Sequence, residues 1–248
     1  MKPLMVTFKI NNVKVLCPTE WSEVSISSVL KMKGKTHLTE IFQALTGCDF
    51  DIPEFQVRNE IFPYLTFVSD EIDFEKLPMP EFIKGWGAPI KNLGHASFGQ
   101  KIAAQKIISK AFRGSPREVD VTSFMIDLLI IYMPKMEREK VESLPFVQCY
   151  PVFDHYCKEI IRLVGRDKKY LEQKPDADLT LAGIDKLSKF AEMRIIDALA
   201  EGDLLKYEKI LEMEYDVIFR KLWYVAEQSS FKERYMKIRE RKFKQAAA

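Results

Sequence analysis

The chain has 248 residues, of which 47% are hydrophobic and 30% are charged, so it can form a folded core without disulfides or metals. Its 38 basic and 36 acidic residues nearly cancel, which excludes a general electrostatic attraction to nucleic acid or anionic membranes. The most apolar stretch, residues 124–133, contains Asp127 and is far shorter than the ~20 residues of a membrane-spanning helix. We therefore expect no transmembrane segment and no membrane partner.

The N-terminal residues predict a β-hairpin. Hydrophobic and polar residues alternate over residues 6–10 and 13–15, and Asn11 and Asn12 between them suit a two-residue turn. Pro18 ends the second strand because it has no amide hydrogen to donate to a strand ladder.

Two short helices are predicted next, near residues 25–32 and over residues 38–45. Thr36 is the expected N-cap of the second helix, and Gly47 suits the left-handed conformation that ends it. Four prolines between residues 51 and 80 keep regular structure short there.

Residues 81–100 contain four glycines and the string GWGAP, and they predict an ordered loop. We interpret this loop as the boundary between an α+β module, residues 1–80, and a helical domain, residues 101–248. The predicted fold class is α+β and predominantly α-helical, with a small N-terminal hairpin and helix module before the helical domain and its long C-terminal helix.

Apolar residues with helical spacing then cover residues 121–132, 152–164 and 181–190. Pro134 is expected to end the first of these helices, and Gly165 is expected to end the second.

The final predicted helix covers residues 212–244 and would be about 50 Å long. From Phe231 to Lys244 it carries seven basic residues against two acidic ones. Basic residues near a helix C-terminus interact favourably with the helix dipole, and the same residues suit docking on an acidic partner. Both interpretations remain open.

The cysteines and histidines give no firm metal site. Cys17, Cys48, Cys149 and Cys157 are far apart, and no apolar segment of export length begins the chain, so we expect reduced thiols in a reducing compartment. Cys149, His155 and Cys157 are the densest group, but a structural zinc site needs four ligands. Cys149 and Cys157 can share a helix face as small buried side chains. We predict no metal and no cofactor.

We also predict that the chain is not an enzyme and has no catalytic residue. Residues 94–100 open a helix and superficially suggest an anion site, but they lack the phosphate-binding glycine spacings, so a structural turn is favoured. Asp127 lies within the most apolar helix, where it either faces solvent or pairs with a base at an interface. Neither interpretation of Asp127 implies catalysis.

Three strings together resemble small structural or tail-assembly proteins of tailed bacteriophages, especially those of the crAss-like group. They are VLCPTEWSEVS at residues 15–25, IKNLGHASFGQK at residues 90–101 and LAEGDLLKYEKIL at residues 199–211. The resemblance implies a non-enzymatic virion component, a neck or tail ring protein, found in the virion and in the host cytoplasm during assembly. It also implies that the partners are other virion proteins and copies of the same chain in a homo-oligomeric ring.

Two other functions remain open: a tail-assembly chaperone that is not retained in the virion, and a nucleic-acid-associated regulator. We do not expect nucleic acid as a partner, because the basic residues cluster only at the C-terminus. Large aromatic and arginine side chains dominate interface energetics, although Trp86 and Trp223 suit a core equally well. The residues that we predict at an interface are Trp86, Trp223, Phe231, Tyr235, Arg239 and Arg241.

Overall fold

A computed structural model describes residues 5–10, 13–50, 52, 57–69, 72–113, 120–133, 136–172 and 183–246. It confirms an α+β fold that is mainly α, with a two-stranded antiparallel sheet followed by helices. The strands are β1 (Met5–Ile10) and β2 (Val13–Pro18). The helices are α1 (Ile26–Met32), α2 (Leu38–Thr46), α3 (Phe62–Leu65), α4 (Phe98–Arg113), α5 (Val121–Tyr132), α6 (Arg138–Glu142), α7 (Phe146–Leu171), α8 (Ala191–Ala200), α9 (Tyr207–Glu212) and α10 (Tyr215–Ala246).

The chain forms two compact units, and each combines separate parts of the sequence. The first unit contains residues 1–89 and 107–157, and the second contains residues 90–106 and 158–248. The predicted division at residues 81–100 follows chain order and remains a prediction, since compactness is a different criterion.

The hairpin contributes apolar side chains to the core of the first unit, as its alternating pattern predicts. Phe8 pairs with Val15 across the strands, and Val15 and Ile10 are buried. Phe8 also contacts Phe42 of α2 edge to face, with 5.9 Å between the ring centroids. The Asn11-Asn12 turn lies outside the described residues.

The predicted helix near residues 25–32 and the predicted stop at Gly47 are confirmed, whereas the predicted N-cap of α2 is not. Ser25 caps α1, because its hydroxyl oxygen accepts a hydrogen bond from the amide of Ser28 at 3.1 Å. Gly47 ends α2 with a φ of 72°, the left-handed conformation that glycine adopts without strain. The prediction for Thr36 is wrong, since His37 occupies the N-cap and makes no side-chain cap bond.

Two helix predictions in the C-terminal half are also wrong. Gly165 does not end its helix, because α7 continues to Leu171; one glycine costs only about 1 kcal/mol in a helix interior. The predicted helix over residues 181–190 is instead a 3-10 helix, Ile184–Phe190, in which Leu187 and Phe190 are exposed. Leu181 and Pro134 lie outside the described residues.

The long C-terminal helix is confirmed and begins slightly later than predicted. Extended backbone at Met213 separates α9 from α10, which then runs for 32 residues. Among the described helices, none is both long enough and apolar enough to cross a membrane.

Trp21 gives a test of the first unit. Its indole Nε1 donates a hydrogen bond of 2.8 Å to the carbonyl oxygen of Phe67, and the two rings meet edge to face. Trp21→Phe keeps an aromatic ring but leaves that carbonyl without this donor, so we expect the free energy of unfolding to fall by about 1–3 kcal/mol in urea titrations. Leu16→Ala, at an exposed position of β2, should change it by less than about 0.5 kcal/mol. Equal effects of the two variants would contradict the structural role of this hydrogen bond.

Candidate functional site

The second unit joins the first turn of α10 to the first turn of α4 by backbone hydrogen bonds. The amide of Phe98 donates to the carbonyl of Met213 at 2.8 Å, and the amide of Tyr215 donates to the carbonyl of Ala96 at 2.9 Å. Amides at the start of a helix have no partner within the helix. The residue two positions before each helix therefore accepts from the first amide of the other helix, and the start of α10 is fixed in position.

The glycine-rich residues 94–100 form a structural turn and a capped helix start, as the sequence favours. The hydroxyl of Ser97 accepts from the amide of Gln100 at 3.1 Å, and the side-chain oxygen of Gln100 accepts from the amide of Ser97 at 3.0 Å. This reciprocal pair is a capping box. Two amides that an anion site would need are thus already bonded.

A cluster of charged side chains lies where α4, α7 and α10 meet; we call it the Tyr215 cluster. Its members are Lys101, Arg166, Asp167, Tyr215 and Asp216. Lys101 Nζ donates to Asp167 Oδ2 at 2.8 Å, and the Tyr215 hydroxyl donates to Asp167 Oδ1. The side chains of Lys101 and Asp167 are only 11% and 17% exposed, so this ion pair is weakly screened by solvent.

Arg166 makes the second ion pair of the Tyr215 cluster. Its Nη1 donates to Asp216 Oδ1 at 2.7 Å, and the guanidinium carbon lies 3.9 Å from the ring centroid of Phe219. Its Nε and Nη2 are buried without a hydrogen-bond partner among the described residues. The aromatic face of Phe219 offsets part of that desolvation cost by a cation–π contact.

Gly94 is required by the position of Asp216. The residue is buried, and a Cβ atom added there would lie 2.2 Å from Asp216 Oδ2. The short turn that holds Gly94 is tied to α7, since Glu159 accepts from the amide of Leu93 at 3.3 Å and Arg162 donates to Asn92 at 3.2 Å.

The Tyr215 cluster holds a neutral tyrosine among balanced charges. Burial, and then the hydrogen bond to Asp167, raise the pKa of Tyr215 above its ordinary value. Two cations face two carboxylates, and the Tyr215 hydroxyl donates to a carboxylate rather than facing a free base. This arrangement sets the direction in which α10 leaves the cluster.

Beyond its first turns, α10 exposes large apolar side chains. Tyr215, Ile218 and Phe219 are buried, whereas every side chain from Phe231 to Gln245 is exposed. We call residues 231–245 the exposed half of α10. Phe231 and Tyr235 stack on each other there, with 6.3 Å between their ring centroids.

The predicted interface residues fall in different surroundings. Trp86 belongs to the first unit, is half-buried and contacts Tyr156 edge to face. Trp223 is 41% exposed and packs against Tyr170 and Phe219 in the second unit. The four others, which are all exposed, share the exposed half of α10: Phe231, Tyr235, Arg239 and Arg241.

The two buried thiols and the half-buried Cys157 thiol are held in their protonated form. Burial raises the pKa of Cys149 to about 12, and burial also raises that of Cys157 to about 12, with a smaller contribution from Asp154. The pKa of Cys17 is also raised to about 12, mainly by burial and to a smaller extent by the nearby Cys48 thiol. A protonated thiol is a weak nucleophile and a weak metal ligand. In the described part of the chain, no group of three or more His, Cys, Asp or Glu could hold a metal ion.

Asp127 pairs with a base of its own chain. Arg138 Nη1 donates to Asp127 Oδ1 at 2.7 Å, and this hydrogen bond raises the pKa of Arg138. An open apolar groove of about 300 Å³ lies elsewhere in the first unit, lined in part by Trp21, Met32 and Ile41. Lys33 and Lys35 beside it are already paired with Asp120 and Glu40.

Comparisons of the chain with protein-family models, with curated proteins and with solved structures find no match. What the protein does is therefore inferred from the geometry of the described residues and from the resemblance of its sequence strings.

Gly94 and Gly165 form a matched pair for testing the Tyr215 cluster. Gly94→Ala pushes Asp216 away from Arg166, so we expect the free energy of unfolding to fall by about 1–3 kcal/mol. Gly165→Ala meets no atom within 4 Å and lies inside α7, so it should raise that free energy by about 0.5–1 kcal/mol. Denaturant titrations measure both, and a neutral Gly94→Ala would contradict the close approach.

Because the pKa of Cys149 is raised, we predict that the folded chain becomes less stable at alkaline pH. Between its ordinary pKa of 9.0 and about 12, the thiol ionises in the unfolded chain but stays protonated in the folded chain. The free energy of unfolding should therefore fall as pH rises through this window, by up to about 1.4 kcal/mol per pH unit from this thiol. Cys149→Ala should show a shallower fall than the wild type in urea titrations at each pH. If the free energy of unfolding falls equally steeply with pH in both proteins, the prediction for Cys149 is wrong.

Proposed function

We propose that the chain is a non-enzymatic structural component of a tailed-phage virion, a neck or tail ring protein that acts through subunit contacts. The exposed half of α10 is the observation that carries this proposal. Phe231, Tyr235, Ile238 and Phe243 are all more than half exposed there. Apolar side chains presented together in this way are typical of a protein–protein contact surface.

The low stability of an isolated helix also supports a partner for the exposed half of α10. The exposed half of α10 is fifteen residues long with every side chain exposed, and isolated helices of this length are marginal in water. A partner that covers its apolar side chains would supply the packing that its own unit does not. The Tyr215 cluster holds the base of the helix, so little orientational freedom is lost on binding.

The phage assignment comes from the sequence resemblance at residues 15–25, 90–101 and 199–211. Under this proposal the partners are other virion proteins and copies of this chain in a ring. The protein is then found in the virion, and in the host cytoplasm while particles assemble.

The experiment measures the copy number of the chain in purified particles of the phage that encodes it. Quantitative mass spectrometry should find a fixed number that matches the rotational symmetry of the neck or tail. A chain that is abundant in infected cells but missing from particles is an assembly chaperone instead. Tight binding of the purified chain to duplex DNA, with a steep salt dependence, would replace the proposal by a nucleic-acid regulator.

Two double variants test whether the face of α10 that carries Phe231 and Ile238 provides this function. Phe231→Asp with Ile238→Asp places two charges on one helix face, and the copy number in particles should fall at least about tenfold. Ser229→Asp with Met236→Asp adds the same charges at the same spacing on the opposite face, and it should be incorporated like the wild type. Equal incorporation of both variants would contradict the role of the face that carries Phe231 and Ile238.

A further inference from the structure

Exposed apolar side chains recur along α10 every seven residues. Val217, Tyr224, Phe231 and Ile238 are 37%, 62%, 61% and 52% exposed. Residues seven apart stay on one side of a helix, as the residues of one core row do in paired helices. We call these four residues the heptad face.

The residues beside the heptad face are strongly basic. With these four residues in one core row of a helix pair, the border positions lie one and three residues after each of them, and they include five basic side chains and one acidic one. They are Ile218, Arg220, Val225, Glu227, Lys232, Arg234, Arg239 and Arg241. In paired helices, the residues that border the apolar seam decide which partner is accepted, because their charges meet those of the partner.

We infer that the heptad face binds an acidic amphipathic helix of a different protein. This rests on the proposed function, since it names the class of subunit that the C-terminal helix contacts. The apolar repeat of seven residues matches a helical partner, and the basic borders match glutamate or aspartate beside that partner's apolar residues.

Charge also decides against a second copy of this chain on the heptad face. In a parallel pair each core row faces the same row of the other helix, so Lys221 and Lys242, four residues after members of the heptad face, would meet the same lysines of the second copy. In an antiparallel pair each border row faces the same row of the second copy, and five of the six charged border residues are basic. Like charges across such a seam are destabilising. Contacts between copies of the chain in a ring would therefore use other surfaces.

The expected affinity is moderate. Four residues after each member of the heptad face stand Lys221, Gln228, Tyr235 and Lys242, so the second row of the seam has one aromatic residue. Lysine stems can cover apolar surface while their charged ends reach solvent. We expect a dissociation constant of roughly micromolar size for an isolated partner helix.

The test uses the full chain and two synthetic peptides of about four heptads each. The acidic peptide has leucine at both core positions and glutamate at both border positions, and the basic peptide has lysine in place of the glutamate. Calorimetric titration should show binding of the acidic peptide alone. Its affinity should fall as salt is raised from about 0.05 M to about 0.5 M, because the border charges are screened.

Variants of the chain locate the binding surface. Phe231→Asp with Ile238→Asp should weaken binding of the acidic peptide at least about tenfold, and Ser229→Asp with Met236→Asp should leave it unchanged. Circular dichroism verifies that both variants keep the wild-type helix content, so a selective loss reports the contact itself.

Four outcomes would overturn the inference. They are equal binding of both peptides, equal binding by both variants, a wild-type dimer in sedimentation that Phe231→Asp with Ile238→Asp dissociates, and no binding of the acidic peptide. A chain that is present in particles but ignores the acidic peptide would refute this inference and leave the proposed function standing. A chain that binds the peptide but is missing from particles would do the reverse.

Discussion

The second unit depends on the hydrogen bonds that the carboxylate of Asp167 accepts. One of its oxygens accepts from Lys101 of α4, and the other accepts from Tyr215 of α10, so a single side chain of α7 joins three helices. Removing charges from water is costly unless every charged atom finds a partner. Here both oxygens of the half-buried carboxylate have donors, and Lys101 also lies 4.6 Å from the ring centroid of Tyr215.

The two halves of α10 differ in their surroundings. Its base is held by the Tyr215 cluster, by the backbone bonds to Ala96 and Phe98, and by burial of Ile218 and Phe219. The other half has exposed apolar and basic side chains. A helix that is fixed at one end and uncovered at the other can present a rigid surface to a partner at low entropic cost. Under the proposed function, the buried half of α10 would serve as an anchor and the exposed half as the contact surface.

Several titratable groups of the described residues are buried or paired. Cys17 and Cys149 are buried and protonated, and Asp127 is paired with Arg138. His95 lies beside Glu214 on the surface, 3.3 Å from its carboxylate.

The amino-acid sequence by itself determined the elements whose signals are local: the hairpin from its alternation, the short helix near residues 25–32, the stop at Gly47 and the long helix α10 with its basic end. Such signals act within a few residues, so they can be read without the fold. The continuation of α7 through Gly165 could not be predicted in this way. A glycine in a helix interior costs only about 1 kcal/mol, and packing of the helix can offset that cost. The Tyr215 cluster, whose members Lys101, Asp167 and Tyr215 are 66 and 48 residues apart, could not be predicted either. Only the tertiary structure decided which charges meet and why Gly94 must lack a side chain, because contacts between distant residues arise from how helices pack and leave no periodic trace in the chain.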